Sequence, residues 1–150
     1  MTAKIRRVCC ILLLIAVGAA VGLGTARAES IAPDPNDAQL VARGKAVYEE
    51  QCARCHGSNL EGQPDWRHRL PNGRMPAPPH DPTGHTWHHS DKQLFDMTKV
   101  GPGALVPGYQ SDMPGFKDKL SDADIWAVLS YIESKWPADI RAKQQRMTKP

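Results

Sequence analysis

Cysteine is scarce in this chain of 150 residues, and two of its four cysteines, Cys9 and Cys10, lie in an N-terminal apolar run. With only Cys52 and Cys55 beyond that run, a multi-disulfide framework is excluded. Long hydrophobic stretches are also few. Val8 to Leu23 is almost wholly apolar but spans sixteen residues, short of the roughly 20 that cross a bilayer. No Lys/Arg cluster interleaved with aromatics is found beyond the N-terminus, which argues against a nucleic-acid surface. A phosphate loop, a nucleophile–base pair and paired carboxylates are missing too, so nothing in the sequence points to an enzyme.

The apolar run has a clear reading. Lys4, Arg6 and Arg7 precede it, and Ala26-Arg27-Ala28 follows with the small-x-small pattern of a signal-peptidase site. A signal peptide over residues 1–28 is therefore expected, with cleavage before Glu29. A membrane link is expected only if that segment stays uncleaved. The formal charge of +3 then misleads. Four of the nineteen basic residues belong to the signal, leaving fifteen against sixteen acidic residues, or about −1. About 122 residues remain, enough for one domain.

What is there is Cys52-Ala53-Arg54-Cys55-His56. A Cys-x-x-Cys-His run reads as a site of c-type haem attachment. Thiols at that spacing each form a thioether with one of the two haem vinyl groups, and the adjacent imidazole is held where it binds the iron. A thioredoxin-like pair would want a neighbouring βαβ pattern, and no strand alternation flanks these residues. A zinc site would want a second Cys or His pair at regular spacing. Capping of Cys52 and Cys55 as thioethers also suits an oxidising compartment, so a periplasmic location is expected. A buried haem would add apolar surface that so small a core lacks.

Helical periodicity starts at Asp37, after an extended lead-in over 29–36. Leu40, Val41, Gly44, Val47 and Tyr48 fall on one face. Gly44 in mid-helix costs about 1 kcal/mol against alanine, so close approach of another helix is expected there. Ser90-Asp91-Lys92-Gln93 has the form of a capping box, and Gly101-Pro102-Gly103 ends the helix it opens. Ser121 to Asp124 caps a last helix whose apolar face holds Ile125, Val128, Leu129 and Ile132. Val128 and Tyr131 are expected to meet Gly44 and Tyr48. Residues 137–150 read as a polar, basic, mobile tail.

Gly44, Tyr48 and the Cys52–His56 motif together resemble the N-terminal helix of the class I, mono-haem c-type cytochromes. The resemblance is good at both ends of the 37–136 domain and weaker between. It implies an all-α cytochrome c-like fold: N- and C-terminal helices crossing, and about three or four helices around one covalent haem c, with a long irregular loop. It also implies that a proline carbonyl among Pro76, Pro78 and Pro79 accepts the Nδ1–H of His56. Ser111-Asp112-Met113-Pro114-Gly115-Phe116 resembles the family's distal loop, making Met113 the expected second iron ligand, with Met75-Pro76 as competitor and Met97 a core residue. Soft thioether sulfur raises the potential relative to a second imidazole.

Residues 57–90 carry six prolines and four glycines, and His80, His85, His88 and His89 crowd its end beside Trp66 and Trp87. These histidines either bond loop backbone and propionates, or build a second metal site, or supply the sixth ligand. The function expected is one-electron transfer between redox partner proteins, met transiently at an exposed haem edge. A five-coordinate haem protein for gas or peroxide and a metal-handling cytochrome are the alternatives.

Overall fold

A computed structural model describes residues 32–149. The expected signal segment 1–28 and the first residues of the lead-in lie outside the described residues. Every regular element among the described residues is helical: α1 (Ala38–Val47), α2 (Ala53–His56), α3 (Asp91–Val100), α4 (Pro102–Leu105), α5 (Asp122–Ser134) and α6 (Ala138–Thr148). A π-helical turn, Tyr48–Cys52, joins α1 to α2, and a 3₁₀ turn, Thr86–His88, precedes α3. The all-α expectation holds.

Helices α1, α3 and α5 each start where a capping side chain satisfies orphan N–H groups, whereas α6 begins after Pro137 with no such cap. Asp37 accepts from the amides of Gln39 and Leu40 at 3.0 and 3.3 Å. Ser90 with Gln93 and Ser121 with Asp124 both form complete capping boxes. Such caps are worth about 1 kcal/mol each.

The crossing of α1 on α5 organises the core. A Cβ on Gly44 would lie 1.9 Å from the Ala127 carbonyl oxygen and 3.0 Å from Tyr131 Cβ. The helices touch backbone to backbone at Gly44 and Ala127, and only glycine permits it. Tyr48, fully buried, packs its ring 5.4 Å from that of Tyr131. Tyr131 thus meets both residues as expected, but Ala127, not Val128, lies against the glycine. Val128 is turned toward the cavity described below. Burying Ile125, Val128 and Leu129 stabilises by roughly 1.5–3 kcal/mol for each side chain. Phe95 stacks on Trp126 at 4.2 Å and fastens α3 to α5. Ser130 Oγ accepts the Asp34 N–H at 2.9 Å, which ties the lead-in down on α5.

The mobile tail expected after Pro137 is corrected: residues 138–148 form α6, docked against the 3₁₀ turn and the start of α3. Its anchor is polar. Gln144 is 1 % exposed, and its amide donates to the His89 carbonyl, to Asp91 and to Thr148. The Asp91 N–H in turn donates to Thr148 Oγ1 at 3.0 Å. A helix held through glutamine shows no apolar stripe, which is why its pattern reads as tail.

Candidate cofactor site

The π-helical turn is the local device that sets the motif. Inserting an i→i+5 turn between α1 and α2 rotates all that follows about the helix axis, and such turns concentrate at functional sites. The chain then stops sharply: Gly57 adopts φ +81°, where a side chain would strike Glu61. Tyr48 Oη donates to the Gly57 carbonyl at 2.8 Å, locking the end of α2 to the buried ring. Burial raises the Tyr48 hydroxyl well above its ordinary value, so it stays a donor.

Cys52, Cys55 and His56 all line one cavity of about 630 Å³ between the loops and α5. Burial, then the neighbouring Cys55, pushes the Cys52 thiol up to about 11. His56 is 6 % exposed, and its Nδ1 lies 2.8 Å from the Pro78 carbonyl oxygen. A carbonyl only accepts, so Nδ1 carries the hydrogen. Burial lowers the His56 pKa, opposed by that same bond, and so favours the neutral ring. A neutral imidazole protonated at Nδ1 keeps its Nε2 lone pair for a metal. Of the three candidate prolines, Pro78 is the partner.

The second expected ligand lies on a loop fastened to α3. Phe116 N–H donates to the carbonyls of Thr98 and Lys99, both at 3.0 Å, and Lys117 N–H to Lys99 at 2.9 Å. Gly115 passes so close that a Cβ would lie 2.6 Å from the Val100 carbonyl carbon. Phe116 is buried, while Met113 is half-buried and lines the cavity, its N–H donating to Ser111 Oγ at 3.0 Å. Met75 lines the same cavity and is also half-buried, so both methionines of the Met-Pro pairs are brought to the site. Met97 packs against the core and reaches the cavity wall too.

His80, His85, His88 and His89, at the end of the loop, part into separate environments. His80 stacks on His56 at 4.0 Å. His85 stacks on Trp66 at 5.3 Å and meets the His89 ring edge-on at 5.4 Å, with both histidines on the cavity wall. His88 stacks on Trp87 at 3.7 Å. Among the described residues no group of three or more His, Cys, Asp or Glu side chains is placed to hold a metal ion. Burial lowers the pKa of both His85 and His89, each further lowered by neighbouring histidines.

Two thiols on one helical turn, an imidazole with its Nε2 free, and a cavity walled by Leu94, Val128, Leu129 and Ile132 fit a covalently attached porphyrin. Fold and donor set together define a haem-binding protein of c type. A family model for cytochrome c matches residues 41–136. The chain belongs to the cytochrome c family, whose members are electron-transfer haem proteins.

Among curated relatives, a cbb3-type cytochrome c oxidase subunit CcoP of Azospirillum brasilense is 31% identical over 98 residues, 65% of this chain and 29% of its own length. The corresponding subunit of Rhodobacter capsulatus is 29% identical over 106 residues, 69% of this chain and 32% of that protein. A thiosulfate dehydrogenase of Stutzerimonas stutzeri is 33% identical over 113 residues, 72% of this chain and 31% of that protein. The chain thus spans about a third of the length of these relatives or less. No solved structure matches.

Proposed function

We propose that this chain is an exported mono-haem electron carrier with His56 and Met113 as axial ligands, and not an enzyme. The observation that carries the reading is the Nδ1–H bond from His56 to Pro78 inside the cavity that also holds Cys52 and Cys55. When bound there, haem supplies an iron that takes up and returns one electron. The protein's part is to hold both ligands through the cycle. Cys52 and Cys55 anchor one edge covalently, and Pro78 fixes the tautomer of His56 and raises its basicity as a ligand. Met113 on the α3-anchored loop supplies the thioether. Pro114 beside it stiffens the chain.

Leu70 and Val106, 41 % and 52 % exposed, line the cavity and give its mouth an apolar rim. A small rim of this kind suits weak, short-lived docking to redox partners. Relatives named as an oxidase subunit and a thiosulfate dehydrogenase support such a setting. No helix among the described residues is long and apolar enough to cross a membrane. The periplasm is proposed from the N-terminal segment together with the cofactor.

The test is the red-edge absorption of the ferric protein, where sulfur-to-iron charge transfer appears. The band is expected in the wild type, lost in Met113→Ala and kept in Met75→Ala. The opposite pattern would move the ligand to Met75. Rapid carbon monoxide binding to the reduced protein at neutral pH would overturn the carrier reading in favour of an open iron.

A further inference from the structure

His80 stands apart from the other loop histidines in the number of groups that hold it. Its N–H donates to the Leu60 carbonyl at 2.8 Å, and its carbonyl accepts the Trp136 indole N–H at 2.8 Å. Its ring Nδ1 lies 2.9 Å from Thr86 Oγ1, and Tyr48 meets its edge at 6.2 Å and 73°. Thr86 Oγ1 in turn donates to the Pro79 carbonyl at 3.3 Å. With its hydrogen spent there, Thr86 accepts from His80, so Nδ1 of His80 carries the hydrogen.

The surroundings are built to keep this residue in place. Leu60, buried and with a branched side chain, is held at φ +67°, a conformation such residues rarely adopt. Strain of that sort costs about 1–3 kcal/mol and persists only where the structure over-determines it. Here it turns the Leu60 carbonyl toward the N–H groups of His80 and Asp81. Two glycines close in on the preceding residue. A Cβ on Gly84 would lie 2.0 Å from the Pro79 carbonyl oxygen, and one on Gly62 2.5 Å from the Pro79 nitrogen. Trp136, 2 % exposed, brings the end of α5 to the same point. All of this holds one flat ring 4.0 Å from that of His56, with 22° between their planes.

We propose that His80 is a positioning residue for the proximal ligand: its ring, laid on that of His56, fixes the rotation of the imidazole about its bond to iron. The proposal rests on His56 being that ligand. One hydrogen bond, to Pro78, leaves a ring free to rock about the N–H···O axis. A second flat ring against its face removes that freedom. Rotation of an axial imidazole decides which iron d orbitals it overlaps, so it governs the electronic asymmetry of the ferric ion and contributes to its potential. Stacking on the His56 side also excludes His80 as the ligand opposite it.

Two variants of the haem-loaded protein keep complementary halves of the residue. His80→Phe keeps the flat face and loses the bond to Thr86. His80→Gln keeps an amide for Thr86 and loses the face. Low-temperature electron paramagnetic resonance and voltammetry of each are the readouts. The g values of His80→Phe are expected close to wild type, whereas those of His80→Gln shift or broaden together with a displaced potential. Thr86→Val, which leaves residue 80 intact but frees its ring, is expected to broaden the same signals. Wild-type g values in His80→Gln would overturn the proposal, as would equal shifts in the Phe and Gln variants. His56→Ala separates the two readings. If its low-spin signal survives, the ligand assignment falls and the proposal with it. If that signal is lost while His80→Gln keeps wild-type g values, only the proposal falls.

Discussion

Residues 57–90 and 101–120 are both long, irregular and rich in proline and glycine, yet the first is tied from within and the second from one side. In the first, the Gln63 N–H donates to the Ala77 carbonyl at 2.9 Å and the Ala77 N–H returns to the Gln63 side chain at 2.8 Å. Around that pair close the bonds of His56, His80 and Trp136 already described. In the second, after Gly101 N–H bonds the Met97 carbonyl at 3.0 Å, backbone hydrogen bonds to α3 resume only at Phe116, and Leu105 and Val106 remain exposed. If His56 and Met113 are the ligands proposed above, the contrast teaches that they would be held differently: His56 by a closely bonded surround, Met113 on a segment fastened mainly at its ends.

Glycine substitutions on the two sides sharpen the contrast most. Alanine at Gly84 would press on the Pro79 carbonyl oxygen from 2.0 Å, with the strained Leu60 and the buried Trp136 close behind. Overpacking without an escape route typically costs about 1–3 kcal/mol, and Gly84→Ala is expected at the upper end. Gly115→Ala meets Val100 backbone at 2.6 Å, but residue 115 is exposed and its loop has space to shift outward. A loss of about 1 kcal/mol is expected there, with a weakened charge-transfer band. Denaturant unfolding of the two variants checks this, and equal losses would erase the distinction.

The next test acts through pH on the floor of the firmer side. Glu133, 6 % exposed, has a carboxyl oxygen without a hydrogen-bond partner, and its carbonyl accepts the Trp136 N–H at 3.1 Å. Burial, then the charges of Asp91 and Asp34, against the opposing Arg141, raise its carboxyl from 4.5 to about 8. The folded chain keeps a proton that the unfolded chain has released. Stability therefore falls as pH rises from 4.5 to about 8, and this contribution is level outside that window. Each unit is worth about 1.4 kcal/mol, and water reaching the carboxylate reduces the full product to about 2 kcal/mol. Glu133→Gln is expected to gain roughly that amount relative to wild type above pH ~8.5. Melting curves across the window check it, and an unchanged slope would place the ionisation elsewhere.

How much of this was legible depends on the kind of residue that holds each part. Caps at Asp37, Ser90 and Ser121 are local, so their positions follow from adjacent residues, and Gly44 announced the helix crossing because nothing else explains it. The Cys52–His56 motif carries its chemistry in its spacing. Pro78 was one of three choices because only the fold decides which carbonyl reaches His56. Three features left no trace. The π-helical turn at Tyr48–Cys52 has no composition of its own. The docking of α6 runs through Gln144, a residue that usually faces water. The role of His80 depends on contacts with Tyr48, His56, Thr86 and Trp136, and only Thr86 among these is near in sequence. The loop histidines suggested a shared metal, but stacking on Trp66, Trp87 and His56 scatters them.

The smallest effect is expected where the two segments meet. Arg74 of the first forms an ion pair with Asp112, next to Met113 in the second. Arg74 and Asp112 side chains are 41% and 55% exposed, so the pair is screened and contributes less than about 1 kcal/mol. Its leverage is local. By joining the firm segment to the residue before Met113, it limits how far the thioether swings from the cavity. Asp112→Asn is expected to leave the melting temperature nearly unchanged while an external ligand such as imidazole displaces the sulfur several-fold faster. Raising the salt concentration should bring wild type toward the variant. Displacement rates that are the same in both proteins at low salt would show that the loop's hold on α3 alone sets the mobility of Met113.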